Sequence, residues 1–166
     1  TWLERAVEAI ERSPEAIDDT ATLAELHETA GTVFLQRGRM DEAEARYRAL
    51  ETLAGEGCAA RGLELRGRVA WYRGRLDEAR TLFEEAHARL PADTGRIAAD
   101  IHNDLGIVFL YAGDEAASRE HHERALAIRE ELGDTVGMAK SLSNLGNLDV
   151  DLGDDLERAE ELYRRA

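Results

Sequence analysis

Apolar residues recur along this chain at steps of three and four, the period of an amphipathic helix. The clearest stretch runs from Asn103 through Asp114 to Leu126 and reads as helix, tight turn, helix. Gly106 sits on the apolar face of the first of these helices, where a missing side chain lets a second helix approach closely. Gly113 follows seven residues later and ends that helix in a turn. The second helix is expected to turn Ala117, His122 and Ala125 towards the first.

The same arrangement is written four times. Glycine pairs seven apart occur at Gly31/Gly38, Gly67/Gly74, Gly106/Gly113 and Gly146/Gly153. Successive first-helix glycines are separated by 36, 39 and 40 residues. Repetition at this period predicts a solenoid, with the length differences absorbed by loops between units. The second helices carry Ala43, Tyr47 and Leu50; Ala79, Phe83 and Ala86; Ala117 or Ser118, His122 and Ala125; and Ala159, Tyr163 and Ala166. The repeats are placed at 22–57, 60–93, 96–134 and a truncated 136–166. Residues 1–13, with Leu3, Ala6, Val7 and Ile10 at helical spacing, read as the second helix of a partial upstream repeat, broken at Ser13-Pro14. Asp18–Thr22 offers N-caps for the helix that follows. Cys58 is placed in the loop between the first two repeats.

Composition narrows the partners. The 166 residues fit one domain, and 43% are apolar, as in a soluble protein. Thirty-five acidic residues against 21 basic ones give a formal charge of −14, which argues against nucleic acid and favours basic partners. Lys140 is the sole lysine and Cys58 the sole cysteine. No internal disulfide is available, so a reducing, cytoplasmic setting is expected. Leu105–Ala112 is far too short to span a bilayer, so no membrane role is expected. The chain starts at Thr1 and stops within a helical pattern, as a piece of a longer protein would.

A first-helix glycine, a turn glycine and then small, aromatic and small residues down the second helix resemble the tetratricopeptide repeat (TPR) as a set. Phrases such as Arg124-Ala-Leu-Ala-Ile-Arg-Glu-Glu-Leu-Gly133-Asp134 are similar to the TPR arrays of bacterial multidomain signalling and transcription regulators and of kinesin light chains. The resemblance implies an all-α fold, a right-handed α-solenoid of antiparallel helix pairs wound into a superhelix. Departures are Ala70 at an aromatic position, Ser118 for Ala, His122 for an aromatic, and Asp149 in a slot that normally packs inward.

Catalytic chemistry finds little support. His121 and His122 are adjacent, and consecutive helix residues point about 100° apart, so they do not chelate one metal. His27, His87 and His102 fall in other parts of the pattern without ligand-spaced neighbours. Cys58 has no evident His or Asp partner. No phosphate loop is present. The reading is therefore not an enzyme, with no cofactor and no metal.

In TPR arrays the first helix of each unit lines the binding groove. Carried over residue by residue, the resemblance gives Arg61, Arg68, Trp71, Asn103, Tyr111, Lys140, Asn144 and Asn147 as groove positions. An asparagine amide donates and accepts together and so matches an extended peptide backbone. The arginines and Lys140 suit carboxylates, and Trp71 and Tyr111 suit apolar anchors. The competing reading is that an Asn bonds a neighbouring helix instead. The expected function is a non-catalytic module for a protein or extended peptide, as the sensor or docking arm of a signalling or regulatory protein. The alternatives are a self-association scaffold joined through uncapped solenoid ends, or a regulatory arm of a catalytic domain elsewhere in the parent chain.

Overall fold

The computed structural model describes residues 19–55, 57–152, 160–161 and 164–165. They form the helices α1 (Thr20–Gln36), α2 (Met40–Glu51), α3 (Cys58–Tyr72), α4 (Leu76–Ala88), α5 (Gly95–Tyr111), α6 (Glu115–Leu132) and α7 (Thr135–Leu152). Among the described residues there is no strand. The chain divides into two compact units between Pro91 and Ala92, so α1–α4 belong to the first and α5–α7 to the second.

Local sequence sets the helix ends. Asp19 caps α1, accepting from the backbone N–H of Ala21 at 3.1 Å and Thr22 at 3.2 Å. Asp114 caps α6 by accepting from Ala117 N–H at 3.1 Å. Acids fill the first turns of α2 (Asp41, Glu42) and α4 (Asp77, Glu78), where the helix dipole favours them. Gly113 has φ +79° with open space around it. The backbone conformation, not crowding, is what requires glycine there.

The first-helix glycines answer to crowding instead. A Cβ on Gly67 would lie 2.5 Å from Cε1 of Phe83, and one on Gly106 would lie 2.6 Å from Cε1 of His122. Gly31 faces Tyr47 in the same way. Each helix pair thus closes by seating a second-helix ring on bare first-helix backbone. In the first unit Tyr47 joins a core with Ala30, Phe34, Leu50, Leu65 and Val69, and Phe83 is buried as deeply. Burying each large side chain contributes roughly 1.5–3 kcal/mol. The second unit buries Ile101, Leu105, Val108, Ile128, Leu142, Leu145 and Leu148.

Two placements correct the expectations, and a third accounts for an anomaly. Ser118, not Ala117, is the small residue buried in the first turn of α6. Cys58 is not in a loop: it opens α3 and is buried within the first unit's core. The inward slot at Asp149 keeps its acid, 1% exposed, because Arg119 of α6 donates to its Oδ1 at 2.5 Å. The expected helix at 1–13 and the second-helix residues Ala159, Leu162, Tyr163 and Ala166 lie outside the described residues.

Candidate binding surface

The expected groove residues fall on α3 in the first unit and on α5 and α7 in the second. On α3, Arg61 is half-buried and held by acids of its own chain. Its Nη2 lies 2.6 Å from Oε1 of Glu28 on α1, and its Nη1 lies 2.8 Å from Oε2 of Glu64. Glu64 is 0% exposed, and such a carboxylate stays charged only where cations face it. Arg68 approaches its other oxygen at 3.7 Å. Tyr47 reaches the same network: burial pushes its phenol above the usual range, and a hydrogen bond with Thr32 opposes that shift. The guanidinium of Arg61 is thus committed to two carboxylates of its own chain. Trp71 is half-buried and meets Tyr72 edge-on at 4.9 Å between ring centroids.

The second unit brings two of the three singled-out asparagines together. Asn144 on α7 donates through Nδ2 to Oδ1 of Asn103 on α5 at 2.9 Å. Asn103 donates in turn to Oδ1 of Asp104 at 3.3 Å. Beneath them lies Arg129 of α6, a buried cation that sequence reasoning did not single out. Its Nη1 donates to Ser141 Oγ at 2.7 Å, to the Gly137 carbonyl at 3.1 Å and to Asn103 Oδ1 at 3.5 Å. Its Nη2 meets Asp100 at 3.0 Å. Gly137 makes this possible, since a Cβ there would lie 2.8 Å from Arg129 Cδ.

The arrangement ties α5, α6 and α7 together and fixes Asn103 and Asn144 in place. The Asn144 carbonyl oxygen accepts from none of the described residues. Asn147 and Lys140 are exposed on α7, and Tyr111, at the end of α5, is 66% exposed. The competing expectation for an asparagine therefore holds at Asn103 and Asn144, which do bond a neighbouring helix. Each still keeps part of its amide for other use.

The histidines are less separate than their spacing suggested. His102 and His121 place their Nδ1 atoms 2.8 Å apart, and His102 Nε2 lies 2.8 Å from Oδ1 of Asp93. With the His102 Nε2–H on Asp93, its Nδ1 accepts the proton that His121 Nδ1 donates. Arg124 secures Asp93 at 2.8 Å, and Phe109 stacks on His121 at 5.2 Å. His102 and Phe109 are seven apart on one face of α5, opposite His121. That spacing was the available signal for the contact. His122, next in sequence, is buried, and burial foremost lowers its pKa to about 4, with His121 and Arg129 adding to the shift. Among the described residues no helix is long and apolar enough to cross a membrane.

Comparison with known proteins bears on this architecture. The structure is similar to the crystal structure of BtubC (BKLC) from P. vanneervenii, with TM-score 0.78 and 22% identity over 99% of this chain and 72% of that one. It is also similar to two crystal structures of MamA. They have TM-scores of 0.64 and 0.62 and 15% identity each, over 98% of this chain and 83% and 78% of theirs. None of the curated proteins matches the chain. At these identities the structural likeness speaks for the fold, an all-α solenoid of helix pairs. A family model described as tetratricopeptide repeat matches residues 57–131 and 96–166. These overlapping matches span well over half of the sequence, and the chain belongs to the tetratricopeptide repeat family.

Proposed function

We propose that this chain is a non-catalytic docking module that holds a protein segment or extended peptide on the α5–α7 face of its second unit. The observation that carries the reading is the Asn103–Asn144 hydrogen bond over Arg129. It holds two amides in fixed positions and leaves the Asn144 carbonyl as a ready acceptor. Preorganised polar groups cost less to order when a ligand arrives. Solenoid repeats present extended binding surfaces, which agrees with this use. Asn147, Lys140 and Tyr111 extend the surface, and Arg68 and Trp71 offer a further one on α3. The repeats doing this work are assigned to 22–57, 60–93, 96–134 and 136–166, after a partial repeat at 1–13. The setting we assign is the sensor or docking arm of a larger cytoplasmic regulatory protein.

The test is capture of the partner with the intact parent protein, identification by mass spectrometry, and calorimetry with the peptide so found. Changing Asn144 and Asn147 together to Ala should weaken binding by roughly 1–3 kcal/mol with helicity unchanged. Full-strength binding by this double variant would move the site to another face.

A further inference from the structure

The second-helix position that faces the first-helix glycine holds Tyr47 and Phe83 in the first unit and His122 in the second. All three rings are buried to the same degree, each 1% exposed. A neutral imidazole fills such a slot as a phenyl ring does, but an imidazolium needs partners. His122 Nδ1 has no hydrogen-bond partner, and Gly106 backbone covers the ring. The charges that act on it come from His121 and Arg129, both on α6, and both oppose a further positive charge.

The carboxylates of the neighbouring elements are engaged elsewhere. Asp100 on α5 serves Arg129, Asp149 on α7 serves Arg119, and Asp93 before α5 serves Arg124 and His102. Asp104 on α5 accepts from Asn103. Lys140 on α7 is exposed and is itself a cation. His102, from α5, already meets His121 head-on, and neither ring is a carboxylate that could neutralise an imidazolium. The first unit's histidines, His27 and His87, are half-buried and do not occupy the slot.

We propose that His122 makes the second unit an acid-sensitive latch: its protonation opens the α5–α6 pair while the first unit stays folded. Because α5 carries Asn103, opening would also release whatever the α5–α7 face holds; that consequence alone rests on the docking role proposed above.

The direction follows from linkage. The unfolded chain takes up this proton near pH 6.5 and the folded chain only near pH 4. Between those values the unfolded state binds more protons, so stability rises with pH. The contribution is complete above about pH 6.5 and is lost as pH falls towards 4. For one such group the opening equilibrium shifts on the order of a hundredfold across the window.

The test is hydrogen exchange of the full chain at pH 7.5 and 4.5, read by mass spectrometry and corrected for intrinsic exchange. Peptides from 95–132 should lose protection on the order of a hundredfold at pH 4.5, and peptides from 20–88 should not. In His122→Phe, which copies the first unit's Phe83, that ratio should collapse. Should phenylalanine pack poorly, His122→Tyr, copying Tyr47, is the second variant. Each variant is compared with itself at the two pH values, so lost overall stability does not mimic the result. Equal loss in both units, or an unchanged ratio in both variants, would overturn the proposal. No ligand enters the measurement, so its failure is separate from failure of the docking role.

Discussion

Replacing Gly106 by alanine adds one methyl group to a space that His122 already fills. The new Cβ would lie 2.6, 2.7 and 2.8 Å from Cε1, Nδ1 and Nε2 of that ring. Carbon contacts settle near 3.5–4.0 Å, so the ring or the helix must retreat by about 0.8 Å. His122 is enclosed and cannot swing away as a surface side chain would. Overpacking of this kind costs about 1–3 kcal/mol. Alanine returns roughly 1 kcal/mol through its better helix propensity. The net expectation is a loss of about 0–2 kcal/mol. In a His122→Ala background the obstacle is gone, and the same change should stabilise by roughly 1 kcal/mol. Urea denaturation followed by circular dichroism at pH 7.5 on all four proteins gives the coupling between the two sites, expected at about 2 kcal/mol. If alanine at 106 stabilised both backgrounds equally, the helices would not meet through this ring, and the steric account of the glycine spacing would be wrong.

Two further predictions concern buried charge. Arg61→Ala should cost about 3 kcal/mol or more in a urea melt, because Glu64, 0% exposed, would lose its 2.8 Å ion-pair partner; a loss below about 1 kcal/mol would mean that this ion pair does not hold the buried carboxylate. Arg119→Ala should lower the melting temperature more than Asp149→Ala, since the first takes a cation at 2.5 Å from a carboxylate that is 1% exposed and the second removes the acid from an arginine whose side chain is 25% exposed; the reverse order would place the buried charge on the wrong partner.

The glycine phase was legible because it is a steric requirement written locally. Gly106 has to be bare for His122, and Gly113 has to turn, whatever lies elsewhere in the chain. The polar contacts were not legible in the same way. Arg61 meets Glu28 from 33 residues away and Asn144 meets Asn103 from 41, so neither partner follows from helical spacing alone. Asp149 was visible as an anomaly, but its answer, Arg119, lies 30 residues earlier on another helix. Arg129 was missed because an arginine within a helix reads as solvent-facing. Two clues pointed inward: it stands seven after His122 on the same face, and Gly137 leaves room for its stem. The His102–His121 contact is hidden for the same reason, since the two rings come from different helices.

Docking of a partner on the α5–α7 face is open to a direct check. Site-specific photo-cross-linking of the captured partner tests it most directly, with the reactive side chain placed in turn at Lys140, Tyr111 and Glu123. All three positions are exposed, the first two on α7 and α5 and the third on α6. Cross-links are expected from 140 and 111 and none from 123. Cross-links from 123 alone would contradict docking there and would put the partner on the second-helix side of the repeat.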